Sequence, residues 1–202
     1  MSHELDKIEF SDGAKLRIIQ DESPESPREW DNLATMVMLH KRYNLGDKHH
    51  YSDFDSWDAL KAQIESTHDV EVILPVRMYD HSGIALSTGS GYPFNCPWDS
   101  VMVGFIFVTS ESIKSCFGDV TIDDEFRSKI TQQMQGELET YNQYLAGDVW
   151  GFILEIPKPA CETCGHVEYE EDSCWGFYGS DPLENGMADH FPEKYREELK
   201  SR

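Results

Sequence analysis

Glu168, Glu170 and Asp172 occupy alternate positions, and their spacing points to a specific chemistry. On a β-strand they point the same way, about 6.7 Å from one to the next, because the chain rises about 3.3 Å per residue. That interval is close to the phosphate spacing along a nucleic-acid strand. Glu171 faces the other side, Asp181, Glu184 and Asp189 follow, and no base lies between Lys158 and Lys194. Such a row can occupy a groove whose lysines and arginines otherwise neutralise phosphates. It can equally be a solvated face that keeps the chain soluble.

A second constellation lies just upstream. Cys161-Glu162-Thr163-Cys164-Gly165-His166, with Cys174, supplies four possible zinc ligands in 14 residues. Two thiolates at Cys-x-x-Cys spacing can wrap one tetrahedral ion. The other half of the set is poor, because His166 follows Cys164 by two residues and no second Cys-x-x-Cys or His-x-x-x-His appears. A redox pair and an incidental pair remain open. Asp80-His81-Ser82 holds the letters of a catalytic triad, but adjacent side chains in a turn diverge and cannot form one relay. His49-His50, beside Asp47, Asp53 and Asp55, reads as a polar loop rather than a shared ion site. Asp53-x-Asp55 lacks the glycine and distal glutamate of a calcium loop. Phosphate-loop, dinucleotide and nucleophile-elbow signatures do not occur.

Charge frames these motifs. The chain has 38 acids against 17 lysines and arginines, a net of −21 in 202 residues. Residues 130–193 hold 13 acids and one base, Lys158. A surface so one-sided repels nucleic acid and anionic membrane and attracts basic proteins. The longest apolar run, residues 101–108, is far short of the roughly 20 needed to cross a bilayer. The first residues carry neither a basic stretch nor an apolar core of a secretion signal, so a cytoplasmic protein is expected. Five cysteines, an odd number, suit thiols or metal ligands better than a disulfide framework.

These residues must be positioned by an α+β fold, expected as one domain over residues 1–202 with a mainly antiparallel sheet. Residues 7–19 read as a hairpin around Ser11-Asp12-Gly13, and 70–88 as the clearest hairpin, with Val70, Val72, Leu74, Val76 and Met78 alternating. Residues 101–108 predict a central strand, 149–156 another, and 167–178 a further strand or hairpin. Helices are predicted over 30–43, 56–66 and 123–145, the last with Ile130, Met134, Leu138 and Tyr141 in one stripe. A short helix capped by Ser110 or Ser112 should end near Phe117, and a marginal one should cover 192–202. The aromatic stretches 93–100 and 172–179 are expected in the core. If Trp98, Trp175 and Tyr178 are exposed instead, they become partner anchors.

Several strings are distinctive: Ser26-Pro27-Arg28-Glu29-Trp30-Asp31-Asn32, Tyr43-Asn44-Leu45-Gly46-Asp47, residues 74–83, Cys96-Pro97-Trp98-Asp99-Ser100 and residues 172–179. They resemble a group of acidic proteins of bacteriophages and mobile elements, over most of the chain. The resemblance implies a context and no residue roles: small acidic phage proteins are often inhibitors of host defence, some of them mimics of nucleic acid. The expectation is a non-enzymatic, cofactor-free anti-CRISPR or antirestriction inhibitor. Glu168, Glu170, Glu171, Asp172, Asp181, Glu184 and Asp189 would bind a basic nucleic-acid-binding host protein, a nuclease or CRISPR effector, with no direct contact to nucleic acid or membrane. The alternatives are a metal-dependent (zinc) enzyme or zinc-stabilised protein, with Cys161, Cys164, His166 and Cys174 or the acids near His49 and His50 holding the ion, and an acidic binding module unrelated to defence.

Overall fold

The computed structural model describes residues 3–52, 54–81, 83–89, 91, 93, 96 and 98–202. In chain order the elements are β1 (Glu4–Glu9), β2 (Lys15–Gln20), β3 (Thr35–Met38), α1 (Trp57–Thr67), β4 (Val70–Asp80), β5 (Ile84–Thr88), β6 (Ser100–Thr109), α2 (Ser110–Phe117), α3 (Asp124–Ala146), β7 (Val149–Pro157), β8 (Tyr169–Tyr178) and α4 (Glu193–Lys200). The fold is α+β with two antiparallel four-stranded sheets, ordered β1-β2-β7-β8 and β3-β6-β4-β5. Contacts divide the chain into two compact units. One is Met1–Glu25 with Gly147–Arg202, the other Ser26–Ala146.

In the Ser26–Ala146 unit, the β3-β6-β4-β5 sheet is covered on both faces. Met36, Met38, Val76, Met78, Ile106 and Val108 pack with the α3 stripe Ile130, Met134, Leu138 and Tyr141. Val37, Phe105 and Phe107 pack on the other face with Leu60 and Ile64 of α1. Each fully buried aliphatic side chain of these layers contributes roughly 1.5–3 kcal/mol. The helix starts are capped. Ser56 Oγ accepts from Ala59 N at 3.2 Å, and Asp123 Oδ1 accepts from Phe126 N at 2.8 Å. The cap of α2 is Thr109, which exchanges hydrogen bonds with Ser112 in a capping box, not Ser110 or Ser112 acting alone.

One expected helix is a strand. Within residues 30–43 only Thr35–Met38 is regular, and it pairs antiparallel with β6. Met36, Val37 and Met38 are consecutively buried because their side chains feed opposite apolar layers. A strand covered on both faces loses the period-two pattern, and Leu33, Met36 and Val37 then imitate helical spacing. The pairing requires Gly104, since a Cβ there would lie 1.9 Å from Val37 O.

The other unit buries one face of its sheet. Leu16, Ile18, Phe152, Leu154 and Phe177 pack with Met187, Phe191 and Tyr195. Lys15 and Arg17 alternate with the buried residues of β2 and are half-exposed. The helix expected to be marginal is tied down. Tyr195 is 1% exposed and its hydroxyl donates to Asp12 Oδ2 at 3.0 Å. Lys194 Nζ meets the same oxygen at 2.6 Å, and Glu198 accepts from Ser11 N and Oγ. No described helix is long and apolar enough to cross a membrane.

Candidate functional site

β8 is an edge strand, hydrogen-bonded on one side only, to β7. Its register sets Glu170 opposite Ile156, Glu171 opposite Glu155, and Asp172 opposite Leu154. Residues directly opposite share a sheet face, so Glu170 and Asp172 lie on the face that Leu154 feeds with apolar packing, and Glu171 lies on the reverse. Lys158 N donates to Glu168 O at 2.8 Å, extending the ladder one step beyond β8. Glu168, Glu170, Glu171, Asp172, Asp181, Glu184 and Asp189 are all exposed. Among the described residues only Asp189 has an ion pair, with Arg196 at 2.9 Å. Asp181 shapes a turn by accepting from Leu183 N at 2.9 Å. Glu155 and Glu171 face each other as like charges, an arrangement that costs a sheet stability.

On the reverse face, the one that carries Glu171, sits an aromatic ring. Trp175 lies over Gly151 of β7, where any Cβ would fall 2.1 Å from Trp175 Cε3. It is 45% exposed, and Trp98 is 93% exposed, so neither occupies the core position expected for it. Phe177, in the same stretch as Trp175, is buried. Tyr178 is half-buried and donates to Glu25 O. Phe94, Asn95 and Pro97 of the other stretch lie outside the described residues.

The four expected zinc ligands are not brought together. Cys161 and Cys164 share one exposed turn, closed by Cys161 N donating to His166 O and Gly165 N to Cys161 O, both at 2.8 Å. Cys174 lies halfway along β8 opposite Phe152 and packs against the apolar cluster. At about 3.3 Å per residue, that position on β8 is far from the turn. Among the described residues no three His, Cys, Asp or Glu side chains form a group able to hold a metal. Backbone N–H groups of Thr163 and Cys164, and then the Cys164 thiol, hold the Cys161 thiol below its ordinary pKa.

The triad letters are dispersed as their adjacency requires. Asp80 accepts from Arg42 and Tyr43, the His81 ring stacks on Tyr79, and Ser82 lies outside the described residues. His49 Nε2 donates to Met38 O at 2.9 Å, and the His50 ring stacks on Tyr51. Asp53, and with it the pair Asp53-x-Asp55, also falls outside the described residues.

One network was not foreseen. Arg28, its side chain 4% exposed, binds Asp47 through Nε and Nη2, each at 2.8 Å, and Glu137 through Nη1 at 3.1 Å. Nη2 also donates to Ala34 O at 2.7 Å. Asp47 accepts from Met36 N, and Glu137 from Leu33 N. Burial opposes the charge on Arg28, but hydrogen bonds and attraction from Asp47 and then Glu137 outweigh it and raise its pKa. Burial raises Tyr141, whose hydroxyl accepts from Gly46 N at 3.0 Å. The two strings around Arg28 and Asp47 are thus joined by one ion pair, beside an open hollow of about 570 Å³ bordered by Asn44, Lys48 and Tyr144. The one signal for this in the sequence is a lone arginine close to two acids, Glu29 and Asp31.

Comparison with protein-family models, curated proteins and solved structures finds no match for this chain.

Proposed function

We propose that this chain is a non-enzymatic inhibitor that acts in the cytoplasm of a bacterial host. It presents the acids of β8 and the following turn to a basic, nucleic-acid-binding surface of a host-defence protein. The observation that carries this reading is the state of those carboxylates: exposed, on a strand edge, and, Asp189 apart, without a cation among the described residues. Glu171 opposite Glu155 supports it further, because a face kept only for solubility gains nothing from like charges placed directly across a ladder. The mechanism is competition. Carboxylates at roughly phosphate spacing occupy lysines and arginines that would otherwise release counterions on binding nucleic acid.

The test is capture on the immobilised chain from bacterial lysate, with elution in steps of salt. The expected result is a nuclease or CRISPR effector released at moderate salt, displaced by duplex DNA, and lost when Glu168, Glu170 and Asp172 are all changed to Lys. Affinity unchanged between low and physiological salt would sink the electrostatic account.

A further inference from the structure

Cys161 and Cys164 are the chemistry-bearing pair that the acidic surface leaves unused. Both are free cysteines with exposed side chains. The bond from Gly165 N to Cys161 O curls residues 161–165 into a single helix-like turn, which Gly165 leaves at φ +70°. Residues three apart in such a turn have Cα atoms less than about 7 Å apart, within the span a disulfide bridges. Hydrogen bonding from the N–H groups of Thr163 and Cys164, and then from the Cys164 thiol, favours the thiolate of Cys161. Cys116, also exposed, is on α2, and no cysteine lies three residues from it in the sequence.

The geometry points to Cys161–Cys164 as a reversible dithiol site that reacts with low-molecular-weight disulfides, Cys161 attacking and Cys164 resolving. The Cys161 thiolate attacks one sulfur of glutathione disulfide, forming a mixed disulfide and expelling one glutathione thiolate. Cys164 loses its proton to solvent and attacks the Cys161 sulfur, forming the Cys161–Cys164 bond and expelling the second glutathione thiolate. Two protein thiols are oxidised and one glutathione disulfide is reduced to two thiols. The closed turn holds the two residues near each other before either reacts.

The reduced full-length chain is incubated in glutathione buffers of graded oxidised-to-reduced ratio, quenched by alkylation and read by peptide mass. The expected result is a Cys161–Cys164 bond, seen as loss of two hydrogen masses, formed about tenfold faster than any reaction at Cys116 and reversed by excess glutathione. Cys116 serves as the internal control and stops at the mixed disulfide. Cys164→Ser, with unchanged circular dichroism, should trap glutathione on Cys161. The proposal is overturned if Cys161 and Cys164 each end as separate glutathione adducts, or remain thiols while Cys116 reacts.

Discussion

Asp47 and Glu137 each bind Arg28 and at least one backbone N–H, whereas Glu168, Glu170, Glu171 and Asp172 stand in water with no cation beside them among the described residues. The difference follows from solvent. A guanidinium taken out of water demands carboxylates close by, and they in turn demand donors. A carboxylate on an exposed edge demands nothing and stays available. In the Ser26–Ala146 unit acids hold loops to strand and helix. In the other unit the acids of β8 hold nothing, and a charge that stabilises nothing is free to act on something else.

Removing the cation is the harshest way to break this contrast. Arg28→Ala should cost about 3–5 kcal/mol, since it strands two part-buried carboxylates and Ala34 O. Urea unfolding would read the loss. A smaller break is Glu137→Gln, which keeps the shape but gives up the charge-assisted bonds. It should cost about 1.5–3 kcal/mol, and little more when combined with Arg28→Ala in a double-mutant cycle.

The exposed set should behave oppositely. Glu171→Lys removes a like-charge pair with Glu155 and should stabilise the fold by about 0.2–1 kcal/mol. The same change should weaken capture of the basic partner. A loss of both stability and binding would merge the two sets and remove the contrast.

The smallest effect concerns a place where the unit of β1 and β2 does bind its acids. Asp12 is held below its ordinary pKa by the hydrogen bond from Lys194, and Glu198 by those from Ser11. A depressed carboxylate stabilises above its unfolded pKa, and that contribution is lost as pH falls through the folded value. Lys194 is raised by Asp12, so its share is present below its unfolded pKa and lost as pH rises through the folded one. Docking of α4 should therefore loosen first at the acid end, below the ordinary carboxylate range. The Ser11 amide shift in an NMR titration would follow it. Asp12 and Lys194 are exposed and Glu198 is half-exposed, so solvent screening keeps the effect slight.

The parts of this fold that one sequence exposes are those with one wet face. The β4–β5 hairpin and the α3 stripe are legible because alternation and helical spacing survive where only one side is fully buried, as at Val76, Met78 and Leu86. β3 is not, because burial on both sides erases the alternation. The acid row is legible because identical charges at fixed spacing need no partner to be recognised. The Arg28 network is not, because Asp47 and Glu137 lie 19 and 109 residues away and nothing local ties them to it. The Cys-x-x-Cys turn is visible in the sequence, and only the register of β8 separates Cys174 from it.

The β1-β2-β7-β8 sheet also sets an order of events during synthesis. β2 is bonded to β1 on one side and to β7 on the other, and the whole Ser26–Ala146 unit is made between them. At about 5–20 residues per second, a growing chain holds the inner edge of β2 open for on the order of ten seconds before its partner exists. An open edge invites strands from neighbouring chains, and charged side chains along it discourage them. Lys15 and Arg17, idle in the finished sheet apart from the Arg17–Glu4 pair and the Lys15–Tyr169 contact, are charges of the kind that edge needs while it waits.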